Sequence, residues 1–557
     1  MGHGLGHDGL ATRSPELAEH MPIHLILVFI LLTVAAVALL ANRTRIPAAI
    51  LLVLVGLVLS VLPGLPRVEL TPELVLLLVV PPLIYSAGVA MSWREFRYNI
   101  RSITLLAFGG VVFTTVAVAA VVHYLLGWDW SVGFVLGAII SPPDEVAPLA
   151  IARRLGLPRR TMVVLEGEGL ANDATALILY RFAVAAVATG TFSFGSAFLI
   201  FIGIMVGEIA FGLAIGYASL RVRRWASDPR VEIILSLLTP FAAYWPPYAF
   251  GGSGVLATVV CGLYISWNGP LLIPSHTRLQ GIFFWDLFIF ILEGALFLLT
   301  GLQARPLLDH VSQVTGSELI VAALVTIVAV IAARFLWVFP ALYLPRLLIP
   351  AVRRSDPYPI WQRPFLVSFF GVRGIVSLAA ALALPLTVAS GAPFPHRDLI
   401  LLLTFWVILV TLVGQGLLVP PLMRWLGLGR VAKAEQEEER LAEIAARRNA
   451  IDAMIGHLEQ LAGERDLPEA VVENVRSHLL ARLRRVMAVE AEDEDHAHAR
   501  LRDEIEGHLI DAERRHIFGQ LERGELIDEA RRHIERELDL REAELFRNIP
   551  GAVNFEE

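Results

Sequence analysis

The chain has 557 residues, of which 56% are hydrophobic and only 18% are charged. A soluble protein of this length would not carry so many long apolar runs, so the composition predicts an integral membrane protein. The net charge of −7 is divided between an arginine-bordered apolar part and an acidic tail, which gives no indication of a nucleic-acid partner. The single cysteine, Cys261, excludes an internal disulfide.

Residues 1–20 form a short polar stretch without the basic start of a signal peptide. Apolar segments follow, and runs of about 20 apolar residues match a bilayer core about 30 Å thick. The sequence predicts thirteen of them, at about 21–41, 46–63, 72–92, 103–126, 130–152, 161–188, 193–220, 231–249, 253–267, 282–303, 317–345, 363–386 and 398–422. We therefore expect an all-α polytopic transmembrane domain over residues 21–425.

Arginines are distributed unevenly between the loops of this predicted domain. Cytoplasmic loops are enriched in basic residues, so this asymmetry predicts the orientation of the chain. One alternating set of loops contains eighteen arginines, from Arg43 to Arg363, and the other set contains only Arg67, Arg305 and Arg397. This places the first set and the C-terminal tail in the cytoplasm, and the N-terminus outside.

Two of the predicted segments are interrupted at corresponding positions. If segments 1–6 and 8–13 are two six-helix repeats, the single helix between them makes the second repeat inverted. The fifth segment of the first repeat contains Pro142 and Pro143, which donate no backbone hydrogen bond, and the fifth segment of the second contains Gly371 to Gly374. Paired interruptions in inverted repeats indicate a transporter site. We expect two inverted repeats with broken crossing helices.

Acidic side chains between Ser141 and Arg181 interrupt otherwise apolar sequence. Charged groups at membrane depth cost about 2.5–3.5 kcal/mol each on insertion scales, so they are functional candidates. At about 1.5 Å per helical residue, Asp173 lies about 20 Å beyond Arg160 and near the bilayer centre. Asp144 approaches the same depth from the first interrupted segment. A carboxylate there can be neutralised by a proton or by a hard cation with oxygen ligands. Competition between the two is sufficient for coupled antiport.

Three motifs extend this interpretation: SPPDEVAPLAIARRLGLP from Ser141, LEGEGLANDATAL from Leu165, and FFGVRGIVSLAAALALP at 369–385. Together they resemble the monovalent cation/proton antiporter-1 family, the sodium/proton exchangers. The resemblance implies a cation site at Asp173 and Asp144, completed by Asn172 and Pro143. It also implies electroneutral exchange from Asn172, a homodimer in a prokaryotic inner membrane, no cofactor and no enzymatic activity.

The sequence departs from the family pattern at two positions near this site. Gly169 stands where the family usually has a serine thought to ligate the ion, and Glu145 stands where a small residue is common. Glu145 and Glu166 are candidates for an access funnel. The family pattern pairs Glu168 with Arg373, which predicts a structural ion pair between the two repeats.

Other buried charges lie deeper in the second half. Arg334 and Glu293 are each near the middle of an apolar segment, which predicts a scaffold pair between them. From about residue 426 the composition becomes highly charged, with apolar residues at helical spacing. Residues 426–557 are therefore expected to form a cytoplasmic helical regulatory domain.

The preferred function is secondary active antiport of Na⁺ (or Li⁺) against H⁺, by alternating access with competition for Asp173. A K⁺/H⁺ antiporter on the same scaffold is an alternative, since Gly169 alters one ligand. Rivals from other classes are a cation channel gated by the tail and a membrane-anchored sensor that has lost transport. The chain has no GxxxxGK[ST] loop, so no nucleotide hydrolysis is expected.

Overall fold

A computed structural model describes most of the chain, and helices dominate the described part. The described residues are 23–44, 46–62, 70–154, 156–226, 228–309, 316–356, 358–465, 467–490, 494–523, 525–526 and 528–546, and they contain no β-strand. The predicted extracytoplasmic tail 1–20, Arg45 and Arg67 lie outside them. The chain divides into two units, Met1–Ala432 and Lys433–Glu557, which are described separately.

The first unit is a succession of apolar helices. Its first half contains α1 Ile23–Thr44, α2 Ala48–Val61, α3 Leu74–Ala90, α4 Trp93–Leu126, α5 Trp130–Ile140, α6 Val146–Arg154, α7 Arg159–Thr189, α8 Phe194–Arg223 and α9 Pro229–Ala249. Its second half contains α10 Val255–Asn268, α11 Ser275–Leu302, α12 Ala304–Asp309, α13 Gly316–Leu348, α14 Pro350–Ser355, α15 Gln362–Phe369, α16 Ile375–Leu382 and α17 Arg397–Leu426.

The outer surfaces of these helices are suited to lipid. Within the described ranges, seven helical stretches are long and apolar enough to cross a bilayer: α1, α4, α7, α8, α11 with α12, α13 and α17. Leucines such as Leu39 and Leu199 are more than 70% exposed on them, a surface that would be unfavourable in water. The predicted all-α polytopic membrane fold is confirmed. The number of thirteen helices and the inverted repeats stay predictions.

Both predicted interruptions are present as breaks between short helices. The first break, residues 141–145, separates α5 from α6, and the second, residues 370–374, separates α15 from α16. The two breaks touch, because the backbone N–H of Asp144 donates to the carbonyl oxygen of Val372 at 2.8 Å. The interrupted segments therefore meet at their non-helical residues, where backbone groups are not committed to helix hydrogen bonds.

An arginine cluster around Asp356 joins the ends of three helices. The Asp356 carboxylate accepts hydrogen bonds from Arg160 of α7 and Arg346 of α13, both at 2.6 Å, and it also pairs with Arg101 of α4. Burial opposes ionisation of Asp356, but the bonds and charges of Arg160 and Arg346 outweigh it, so its pKa lies below its ordinary value. These ion pairs therefore persist in mildly acidic solution.

The buried Glu208 of α8 has a structural partner in a helix N-terminus. Its carboxylate accepts hydrogen bonds from the backbone N–H groups of Gly254, Leu256 and Ala257, at 3.0 to 3.4 Å, and from both the backbone and the hydroxyl of Ser253. The first N–H groups of a helix have no partner within it, and the helix dipole favours a negative charge there. Glu208 thus caps α10 from a neighbouring helix.

The second unit is helical and mostly charged on its surface. Helix α18, Leu428–Arg465, leads into α19 Glu469–Glu490, α20 Glu494–Glu522 and α21 Asp528–Phe546. Few apolar residues are buried in it, among them Ile510 of α20 and Leu538 of α21. These helices are too polar to span a membrane, and the predicted domain limit at residue 426 stays a prediction.

Candidate ion-binding site

The two breaks and α7 form one buried polar region within the apolar unit. Asn172 of α7 is fully buried, and its Nδ2 donates to the carbonyl oxygen of Pro143 at 2.6 Å. Pro143 can offer this oxygen because the helix is interrupted around it. The Oδ1 atom of Asn172 is buried without a hydrogen-bond donor among the described residues. It is an acceptor beside the first break, where a cation could satisfy it.

Asp144 is held by backbone groups of α6 and of the second break. Its Oδ1 accepts from the backbone N–H of Val146 at 3.2 Å, at the beginning of α6, while its own backbone N–H bonds to the second break. Gly374 makes room for the side chain, since an ideal Cβ added to Gly374 would lie 2.6 Å from the Cβ of Asp144. Position 374 in the second interrupted segment must therefore lack a side chain, because the side chain of Asp144 occupies that space.

Asp173 is half-buried on α7 and interacts electrostatically with Asp144. Neither carboxylate has an arginine, lysine or histidine within 4.0 Å among the described residues. The two aspartates predicted to hold the ion thus lie within electrostatic range of each other. Over the described ranges, no three histidine, cysteine or acidic residues converge at the spacing of a metal site. A monovalent cation here would need neutral oxygens as well as a carboxylate.

Glu168 has a different partner from the one predicted. Its two carboxylate oxygens accept from Nη1 and Nη2 of Arg334 at 2.6 and 3.0 Å, and both side chains are buried. Arg334 also donates to the carbonyl oxygen of Val367. This bidentate pair replaces the predicted Glu168–Arg373 pair, and it removes Arg334 from the predicted pair with Glu293. It joins α7 to α13 and to the segment that enters the second break.

Arg373 stabilises the first break instead of binding a carboxylate. Its guanidinium donates to the carbonyl oxygen of Ser141, the residue that directly follows α5, and its backbone N–H donates to Thr411 Oγ1 at 3.0 Å. The end of a helix carries partial negative charge and unpaired carbonyls, which a cation offsets. No carboxylate of the described residues lies within 4.0 Å of Arg373. Spacing along the sequence could not reveal this carbonyl partner.

Three further acids, Glu145, Glu166 and Glu293, belong to the same electrostatic network. Glu145 interacts electrostatically with Asp144, Asp173, Glu166 and Glu293. Of these, Glu166 is paired with Arg153, at 3.4 Å. Glu293 was predicted to pair with Arg334, but it interacts with Asp144 across the site. Sequence reasoning therefore missed Glu293 as a member of this region, although an acid midway along an apolar helix was a visible signal.

Comparisons with known proteins give matches over most of the first unit. A sequence profile described as "Sodium/hydrogen exchanger, transmembrane" matches residues 28–425. An uncharacterized Na⁺/H⁺ exchanger of Mycobacterium bovis is 37% identical over 448 residues, which is 79% of this chain and 82% of that protein. The sodium, potassium, lithium and rubidium/H⁺ antiporter of Bacillus pumilus is 33% identical over 71% of this chain and 60% of its own.

A solved structure is similar as well. The sodium proton antiporter MjNhaP1 from Methanocaldococcus jannaschii superposes with a TM-score of 0.59, covering 72% of this chain and 98% of the other. The two sequences are 18% identical over this region, so the likeness concerns the fold.

Proposed function

This chain belongs to the sodium/hydrogen exchanger family, and on that premise we propose that it exchanges Na⁺ (or Li⁺) for H⁺ electroneutrally, with both ions competing for Asp173. Cation/proton antiport by a multi-pass membrane protein is the activity that the family and its named antiporters support, and such a protein is a transporter, not an enzyme. The preference for Na⁺, the neutral stoichiometry and the alternating-access cycle are our proposal.

The observation that carries the proposal is the pair of aspartates without a basic partner at a double break. Two carboxylates that interact across a buried region repel each other, so a positive charge on either is favourable. A proton on Asp173 or a cation between Asp173, Asp144 and the oxygens of Asn172 and Pro143 would supply it. Because only one of them can occupy Asp173, uptake of one ion requires release of the other. Asn172 carries no charge, which favours one proton for one cation.

K⁺/H⁺ antiport is the second candidate function. The Bacillus pumilus relative is named for potassium and rubidium as well as sodium and lithium. This chain has Gly169 rather than a hydroxyl beside the break, so the size and ligand set of its site differ from the family pattern. Selectivity among monovalent cations depends on the number and field strength of the ligands.

The test is exchange by the full chain in proteoliposomes with a trapped pH indicator. After a pH gradient is imposed, Na⁺ or Li⁺ should dissipate it, choline should not, and an imposed membrane potential should leave the rate unchanged. A larger response to K⁺ than to Na⁺ would support the second candidate. Cation flux that follows the potential without moving protons would indicate a channel, and no response from stable, inserted protein would indicate a sensor.

We also propose the setting in which the antiporter works. The arginine asymmetry of the loops supports a prokaryotic inner membrane with the C-terminal tail in the cytoplasm and the N-terminus outside. A homodimer is proposed from the family resemblance alone.

The tail is proposed to regulate transport. All acids of the site precede residue 300, whereas residues 433–557 form a separate polar unit. Such a unit can act only by shifting the equilibrium between the inward- and outward-facing conformations. A shift of one pH unit in half-maximal activity needs a free-energy difference of about 1.4 kcal/mol. We therefore expect that a chain ending at residue 430 still exchanges cations for protons, but with a shifted pH profile.

The measurement is cation-dependent dissipation of the pH gradient, against pH, for the full and the shortened chain. Equal insertion of both proteins is the control. An identical pH profile would leave the tail without a regulatory role, and complete inactivity of the inserted, stable short chain would make the tail part of the transport machinery.

A further inference from the structure

The two departures from the family pattern, Glu145 and Gly169, lie against each other in space. Glu145 belongs to the first break and Gly169 to α7. An ideal Cβ added to Gly169 would lie 2.7 Å from the Cβ of Glu145 and would collide with its carboxyl group. Real Cβ atoms do not approach other atoms so closely, so a side chain at position 169 and this placement of Glu145 exclude one another. The Glu145 carboxyl occupies the volume that a larger residue at 169 would fill.

One oxygen of the Glu145 carboxylate has no donor to satisfy it. Its Oε2 atom is buried without a hydrogen-bond partner among the described residues. Among the described residues, no basic side chain forms an ion pair with Glu145 within 4.0 Å, and Arg153 pairs with Glu166 instead. Its charged neighbours include four acids, Asp144, Asp173, Glu166 and Glu293. An unpaired carboxylate oxygen in such surroundings is unfavourable unless a positive charge joins it.

A second group close to the same break also lacks a donor. The amide of Asn172 is held on the carbonyl oxygen of Pro143, two residues before Glu145, and its Oδ1 is buried and unsatisfied in the described structure. Asn172 itself is fully buried. Two independent acceptors beside one break therefore lack a donor. A small hard cation satisfies oxygen acceptors of this kind, whereas a neutral donor would leave the excess negative charge.

We propose that Glu145 is a ligand of the transported cation and takes the place of the side-chain oxygen that this chain lacks at position 169. The proposal rests on the proposed antiport function. In this arrangement Glu145 contributes one charged oxygen to the cation, beside the neutral oxygen Asn172 Oδ1. The resulting site has a carboxylate where the family pattern has a hydroxyl.

A carboxylate ligand in place of a hydroxyl affects the selectivity among cations. The attraction between a carboxylate and a cation rises as their separation shrinks, so a full negative charge strengthens the binding of small ions more than that of large ones. Replacing the charge by a neutral oxygen of the same shape should therefore weaken Na⁺ and Li⁺ more than K⁺. This difference between ions distinguishes a ligand from a residue that only lines an access route, because loss of an access residue would affect Na⁺, Li⁺ and K⁺ alike.

The experiment uses the full chain with Glu145→Gln, Gly169→Ser and the double variant Glu145→Ala/Gly169→Ser. Glu318→Gln, an exposed acid at the start of α13, is the matched control. Exchange in proteoliposomes gives the half-saturating cation concentration, and titration calorimetry of the purified protein gives Na⁺ binding without transport. Thermal unfolding in detergent shows whether each variant is folded.

We expect Glu145→Gln to raise the half-saturating Na⁺ and Li⁺ concentrations about tenfold, the effect of losing one charged ligand, and that of K⁺ by less. Gly169→Ser alone should lower folding yield or exchange, because the serine displaces Glu145. The double variant should regain Na⁺ binding to within about threefold of the parent, since it exchanges one ligand for another.

Unchanged Na⁺ binding in Glu145→Gln would overturn the proposal while leaving the antiport function intact. A double variant that is folded but binds Na⁺ no better than Glu145→Gln would also overturn it, because the two positions would then not substitute for each other. Absence of cation-dependent exchange in the parent chain would contradict the antiport function itself, and with it this proposal.

Discussion

Replacing Asp173 by asparagine is expected to abolish cation-dependent proton movement, the largest functional effect of any single change in this chain. Asparagine keeps the shape of the side chain but can neither take up a proton nor neutralise a cation. In the proposed cycle Asp173 is the only group at which the two ions exclude each other. Its loss removes the binding of both ions and the competition that couples them. The expected rate is therefore that of liposomes without protein.

The measurement is dissipation of an imposed pH gradient by Na⁺ and Li⁺ in proteoliposomes, at several pH values. Asp398→Asn is the matched control, because Asp398 is an exposed acid at the beginning of α17, outside the site. Both variants should unfold at the temperature of the parent. Exchange by Asp173→Asn at near the parental rate would mean that another group carries the proton, with Asp144, which interacts electrostatically with Asp173, as the first candidate.

Breaking the Glu168–Arg334 pair is expected to have the largest effect on stability. Each residue is buried and satisfies the other through two hydrogen bonds. Removing one partner leaves a buried charge alone, which typically destabilises a protein by about 3–5 kcal/mol, whereas replacing both by apolar residues can be nearly neutral. Glu168→Met and Arg334→Met should each lower the unfolding temperature strongly. The double variant should recover most of the loss, apart from the bond of Arg334 to Val367.

A second double-mutant cycle, between Glu168 and Arg373, is the control for the first. Arg373 donates to the Ser141 carbonyl oxygen, so Arg373→Met should destabilise the first break whether or not Glu168 is present. Thermal unfolding in detergent should therefore show a large coupling between Glu168 and Arg334 and a much smaller one between Glu168 and Arg373. A larger coupling with Arg373 would mean that the two arginines exchange roles in the protein as it exists in the detergent.

Much of the architecture could be predicted from the sequence, because a bilayer restricts which local structures a spanning segment can adopt. Backbone polar groups in lipid must be satisfied within a helix, so apolar runs of sufficient length identify membrane helices directly. Prolines and glycines in such runs mark breaks, and the breaks at residues 141–145 and 370–374 follow from Pro142, Pro143 and the Gly371–Gly374 motif. An acid inside an apolar run is costly wherever it points, which is why Asp144 and Asp173 stand out without a structure.

What only the tertiary structure decided is which buried group meets which. A helix rotated by one residue turns its side chains through about 100°, so spacing along the chain does not identify a partner on another helix. Arg334 and Arg373 are both buried arginines of the second half. The rotation of α13 brings Arg334 to Glu168, whereas Arg373 binds the carbonyl oxygen of Ser141. The contact between Glu145 and Gly169 is of the same kind. Both positions were visible as departures from a pattern, but only the approach of α7 to the first break makes them one feature of the site, because steric exclusion acts between neighbours in space.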